Sequence, residues 1–267
     1  MRTAALFFAG LTLFAQDPSR GVNFYSIEKE KALGEQLASE YRAHATLIES
    51  PELLRRVEAL GRSLVPPESK IAYTFALVDD EGLELHEPVA LPGGFLFVPS
   101  GLILSAGNID ELAGMLAHAI AHIEARHGTK LATRGQIVNQ ATIPLIFTGG
   151  WNGYAIRRNA SLAIPLGMLK THRTMELQAD SLGAELMQSQ GYSAGRLADY
   201  IERVQTQDTG APNPASPLPP RAERVAALRA FPAPSSAPQA PPDLRDMQEL
   251  LRRALPDKAK TPPRLSR

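Results

Sequence analysis

The stretch LAHAIAHIEARHG, Leu116 to Gly128, sets two histidines four residues apart and adds a third beyond them. Residues four apart share one face of a helix, so His118 and His122 turn their imidazoles toward a common point. A helix is legible here from Asn108 to about Leu131. Asp110 and Glu111 stand at the end that favours acidic residues, and Leu112, Met115, Leu116, Ile120 and Ile123 supply an apolar face. Neutral imidazole suits zinc, and a pair of them needs further ligands from another element. The strongest third candidate is Glu176 in HRTMELQADSLGAELM, within a second helical stretch from Met168 to Ser189 that Gly191 ends. Asp180 lies one turn further on and is placed to accept a hydrogen bond from a ligand histidine, which fixes the tautomer and raises basicity. Histidine pairs at this spacing also occur in cores and on surfaces. The downstream acidic helix gives this pair its weight.

The remaining candidates read more plainly. On a continuous helix His127 falls about 180° from His118, which argues against a shared ion. Glu124 falls about 160° from His122 and reads as a solvated carboxylate. Spacing identifies no partner for His44, His86 or His172, whose default reading is structural or exposed.

Working outward, 267 residues with 44% hydrophobic content suit one globular domain plus extensions. Equal numbers of basic and acidic residues, 28 of each, give no nucleic-acid signature, and no nucleic-acid partner is expected. MRTAALFFAGLTLFAQ reads as a secretory signal over residues 1–15, with Arg2 before the apolar run Ala4 to Phe14; a retained anchor is the alternative. No later run reaches roughly 18 uninterrupted apolar residues, so no stable transmembrane segment is expected after signal cleavage. The absence of cysteine excludes disulfides and a lipid-modified cysteine anchor.

Between these landmarks, FYSIEKEKALGEQLASEYRAH and PELLRRVEALGRSLV show helical periodicity, the second stopped by Pro66-Pro67. Ile71 to Val78 and the FLFV after Gly93-Gly94 read as strands, the glycine pair admitting close approach of backbone or ligand. Gly135 to Pro165 is less legible, reading as a helix or as a loop over a groove. RAERVAALRAF reads as one more helix, closing a domain over 16–231. Residues 232–267 are a proline-rich tail in which Leu244 to Leu255 suggest a short amphipathic helix, free to dock on the body or on a partner. The class is α+β: mainly helical, with a small β-sheet beside the helix that carries His118 and His122.

Five of these segments, in order, resemble the secreted bacterial HtpX- and BepA-like zinc metalloproteases, the gluzincins with HExxH and a distant glutamate ligand. They are NFYSIEKEKALGEQLASE, VALPGGFLFVPSGLI, ELAGMLAHAIAHIEARHG, HRTMELQADSLGAELMQSQGYSA and LPPRAERVAAL, spanning about Asn23 to Ala230. The resemblance implies a zincin-type fold and a Zn2+ cofactor held by His118, His122 and Glu176, with Asp180 behind them. It puts Gly93 and Gly94 in the segment at the substrate-side edge strand. It also implies a polypeptide substrate or client, and a periplasmic or secreted location with roles in envelope protein quality control.

Two positions depart from the family pattern. Ala119 stands where the motif glutamate would take a proton from the zinc-bound water, and Leu218 stands where the family has a histidine close to the metal. Neither departure prevents metal binding, because the motif glutamate is not a ligand. Glu87 is the one carboxylate that a loop could bring over the metal in compensation, against the plainer reading of an exposed loop residue. The expectation is therefore a zinc-binding member with lost or strongly reduced hydrolysis. The alternatives are an active zinc metalloendopeptidase in envelope protein quality control, using a compensating group such as Glu87, and a metal-free polypeptide-binding module.

Overall fold

The computed structural model describes residues 21–81, 85–137, 166–205 and 216–255. The signal reading at 1–15, residues 138–165 of the stretch Gly135 to Pro165 read as a helix, a loop over a groove or both, and the end of the tail at 256–267 lie outside the described residues.

A four-stranded sheet is built from β1 (Thr46–Leu47), β2 (Thr74–Asp79), β3 (Val89–Leu91) and β4 (Phe95–Pro99), in the order β1-β2-β4-β3. β2 and β4 run parallel, while the two outer pairs are antiparallel. Side chains alternate across a strand, and here both faces are apolar. Phe75, Leu77, Leu96 and Val98 enter the main core, whereas Val78, Val89, Leu91 and Phe97 enter a smaller one. Helix α1 (Ile27–His44) covers the smaller core, burying Ala38 and packing Tyr41 against Phe97 with ring centroids 4.6 Å apart. Helix α2 (Pro51–Leu64) covers the main core with Leu53, Val57, Leu60 and Leu64, each such burial worth roughly 1.5–3 kcal/mol before entropy.

Helix α3 (Ser100–Ser105) leads into α4 (Ile109–Glu124), the centre of the molecule. Asn108 caps α4 by accepting from the Glu111 N–H, and the Glu111 carboxylate accepts from the Gly107 N–H. Residues 111–121 of α4 are buried all the way round, because the helix packs against α2, β3, α5 (His127–Ile137), α6 (Leu166–Ser189) and α7 (Ala194–Val204). Gly183 lets α6 come close: an added Cβ would sit 3.0 Å from the backbone nitrogen of His118.

The single helix expected over Asn108–Leu131 is in fact two. Arg126 takes φ +58°, and α5 starts afresh at His127. The turn is held from outside, since the Arg126 guanidinium binds the Glu30 carboxylate and the Tyr25 carbonyl oxygen. Helix α8 (Arg221–Arg229) follows the proline-rich run as expected. Helix α9 (Leu244–Ala254) docks on the body, placing Leu244, Met247 and Leu251 in the main core against α2 and α3. The architecture is the expected one, mostly helical with a small sheet. Among the described residues no helix is long and apolar enough to cross a membrane.

Candidate metal centre

Helix α4 brings His118 and His122 to one point, their Nε2 atoms 3.1 Å apart. Helix α6, held close through Gly183, adds Glu176, whose Oε2 lies 3.5 Å from His118 Nε2 and Oε1 3.7 Å from His122 Nε2. The loop before β3 adds Glu87, with Oε1 3.6 Å from His118 Nε2. One ligand atom from each of the four residues lies within 4.8 Å of the others. Glu87 is therefore not an exposed loop carboxylate; it is 6% exposed. The cluster lies beside a cleft that the edge strand β3 also lines through Ala90 and Leu91.

The two histidines have different backing. Asp180 Oδ1 lies 2.9 Å from His118 Nδ1, and the same carboxylate is gripped by both arms of Arg224 at 2.7 Å. Behind His122, Nδ1 meets His127 Nδ1 at 3.1 Å, and His127 Nε2 meets Gln178 Oε1 at 3.0 Å. An amide oxygen only accepts, so His127 donates through Nε2 and its Nδ1 accepts from His122. That leaves the His122 Nε2 lone pair facing the cluster.

The electrostatics favour a cation. Burial opposes a proton on His118, but Asp180, Glu176 and Glu87 outweigh it and hold its pKa well above the usual imidazole value. Burial likewise opposes charge on Glu176, yet His122 and His118 hold its pKa well below the carboxylate range. Asp180 is lowered against its own burial by Arg224 and His118. Burial, and then the neighbouring His122, push His127 down to about 3 and keep it neutral. With the histidines neutral, as ligands are, three carboxylates against one guanidinium leave two formal negative charges in a mostly buried cluster. Among the described residues, buried Glu176 Oε2 has no hydrogen-bond donor, and His118 Nδ1 meets Asp180 as an ion-pair contact at 2.9 Å without hydrogen-bond geometry. Tetrahedral bonds of about 2.0–2.1 Å separate neighbouring ligand atoms by roughly 3.3 Å, close to the separations seen here. Imidazole and carboxylate donors, the charge deficit and the orphaned oxygen all fit a divalent ion. The cluster is capable of holding one.

The other sequence candidates fall into place around it. Ala119 is fully buried in the main apolar core. Leu218 is buried just before α8, its N–H donating to Ser216 Oγ, while Arg173 of α6 holds the Ser216 carbonyl oxygen. Gly93 and Gly94 form the β3–β4 turn at φ +74° and +97°. A Cβ on Gly94 would lie 2.5 Å from the Ala72 carbonyl oxygen, so the close approach there is to backbone. His127, which the continuous-helix projection set apart from the pair, reaches His122 because the chain turns at Arg126. Glu124 is not simply solvated; it accepts hydrogen bonds from Ser69 Oγ and the Tyr73 hydroxyl. His44 is exposed. His86 Nδ1 lies 3.3 Å from the Tyr200 hydroxyl, and His172 is buried at the cleft, one turn before Glu176. Arg224 lies in the LPPRAERVAAL segment that carries the resemblance, but spacing names neither its partner Asp180 nor that of Gln178, since both partners come from other elements.

The family model for Peptidase family M48 matches residues 49–231, more than half of the chain. This chain belongs to peptidase family M48. Over 191 residues it is 26% identical to the "Beta-barrel assembly-enhancing protease" of Yersinia pestis, covering 68% of this chain and 39% of that protein. It is 28% identical over 199 residues to the "Mitochondrial metalloendopeptidase OMA1" of Schizosaccharomyces pombe, covering 69% and 55%. It is 27% identical over 185 residues to a "Protease HtpX homolog" of Pyrococcus abyssi, covering 63% and 62%. The match thus spans about two fifths of the length of the assembly-enhancing proteases. The M48 match takes in both the His118–His122 helix and the Glu176–Asp180 helix.

Proposed function

We propose that this M48 chain holds a divalent metal ion, zinc by its donor set, through His118, His122 and Glu176, and hydrolyses peptide bonds slowly or not at all. Asp180, fixed by Arg224, orients His118; His127, fixed by Gln178, orients His122. His118, His122 and Glu176 would hold a zinc ion that would supply Lewis-acid polarisation of water and a substrate carbonyl. The proton of that water needs an acceptor, and general acid–base help of this kind is worth ~10²–10⁴ in rate. The observation that carries the reading is Ala119: a methyl group packed into the apolar core occupies the acceptor's position, directly after the first metal-binding histidine. Leu218, at the position of the family's histidine, has no donor for a developing oxyanion either.

The client is a polypeptide laid along the cleft, where β3 offers an edge with β4 as its only strand partner among the described residues. The signal reading of residues 1–15 places the protein in the periplasm or outside the cell. Metal analysis tests the first half of the proposal. Near-stoichiometric zinc that disappears in His118→Ala and His122→Ala is expected, and a metal-free wild type rejects it in favour of a binding module.

One observation favours a second reading, an active metalloendopeptidase: Glu87 Oε1 stands 3.6 Å from His118 Nε2, near enough to serve chemistry at the metal. Chelator-sensitive casein turnover abolished by Glu87→Gln would establish it.

A further inference from the structure

The buried carboxylate of Glu87 has two conceivable roles beside a metal, and they predict different positions. A proton acceptor works through the metal-bound water and stands back from the ion by a further hydrogen-bond length of about 2.6–3.2 Å. A ligand stands about one tetrahedral edge, roughly 3.3 Å, from its neighbouring ligand atoms. Glu87 Oε1 lies 3.6 Å from His118 Nε2, level with the 3.5 Å of Glu176 Oε2 on the same nitrogen. It belongs with His118, His122 and Glu176 to one group whose ligand atoms lie within 4.8 Å of each other.

We propose that Glu87 is a fourth protein ligand, closing the coordination position that a hydrolytic site leaves open to water. The proposal rests on the metal-bearing reading above.

Three further features support it. The residues on either side of Glu87 are held in place. His86 Nδ1 lies 3.3 Å from the Tyr200 hydroxyl of α7, which in turn meets Ser105 Oγ at 2.8 Å, and Val89 pairs with Phe97 in the sheet. The carboxylate is delivered from two fixed points, as a ligand requires. The charges also balance. Glu87 and Glu176 offset a divalent ion while Asp180 and Arg224 offset each other, so the buried assembly is neutral with the ion bound. Lastly, Glu87 is only 6% exposed, so its carboxylate is turned into the cluster and away from solvent, and a bound cation would compensate its buried charge. Sites closed by four protein ligands are structural, and those with three and a water are catalytic. A closed site agrees with Ala119, because a site without an open position has no use for a proton acceptor.

Cobalt(II) replaces zinc in such sites and reports coordination through its visible absorption. The test uses the purified full chain as wild type, Glu87→Ala, Glu87→Gln and His118→Ala, with acetohydroxamate as the probe for an open position. Wild type should bind one cobalt ion and keep its spectrum when acetohydroxamate is added. Glu87→Ala should bind cobalt and zinc more weakly, by more than the roughly 10–100-fold loss seen for an outer partner, and its spectrum should shift with the probe. Glu87→Gln conserves volume and should show a similar weakening while the metal-free protein keeps its melting temperature. The proposal fails if wild-type cobalt responds to acetohydroxamate as Glu87→Ala does, or if Glu87→Gln leaves zinc affinity unchanged. Either result leaves the three-ligand reading standing. A wild type that takes up no cobalt, like His118→Ala, overturns both.

Discussion

His118 and His122 sit one turn apart on the same helix, yet the protein supports them by different physics. His118 is backed by a buried ion pair, Asp180 with Arg224, which reaches across from α6 and α8. His122 is backed by neutral groups, His127 and Gln178, from α5 and α6. The charged backing pulls positive charge onto its histidine and would draw a cation toward it. The neutral relay sets a tautomer and adds little field. A buried pair costs desolvation on both partners, so its worth lies in what happens when one partner is removed. The difference therefore predicts unequal consequences for stability and for metal affinity.

The largest effect should come from Arg224→Met. It removes the guanidinium from an Asp180 whose residue is 1% exposed and leaves that carboxylate with His118 Nδ1 alone, at a cost of about 3–5 kcal/mol visible as a lower denaturant midpoint. A loss under about 1 kcal/mol would place that carboxylate in contact with water and remove the contrast. Next comes Asp180→Asn, expected to weaken zinc binding by roughly 10–100-fold in competition with a chelator. Gln178→Leu should fall at the low end of that range, about tenfold, because it frees a tautomer without removing charge. If Gln178→Leu weakens zinc binding more than Asp180→Asn does, the assignment of strong and weak backing is reversed.

Local spacing made half of this arrangement readable. His118 and His122 follow from the helical repeat, and Glu176 and Asp180 share a face of a helix whose apolar pattern is plain. Helices α1, α2 and α8 and the strand cores were legible for the same reason. What stayed hidden depends on groups far apart in sequence. Arg224 meets Asp180 across 44 residues, with nothing in either segment naming the other. The turn that swings His127 onto His122 depends on Arg126 adopting left-handed backbone, a conformation sequence signals usually assign to glycine or asparagine. Its support comes from Glu30 and Tyr25 near the other end of the domain. Helix α7 is a different kind of miss. Leu197, Ala198 and Ile201 mark a clear apolar face in AGRLADYIERV, so pattern alone would have found it. β1 is two residues long and exists through its pairing with β2.

The contrast between the two backings concerns holding an ion, whereas Ala119 concerns using one. Casein turnover by the zinc-loaded wild-type protein, with and without chelator, addresses the central claim most directly. The expected result is a rate indistinguishable from that of the His118→Ala protein, whether or not chelator is present. Turnover well above that background and abolished by the chelator would contradict the claim that this M48 chain kept its metal site without its hydrolysis.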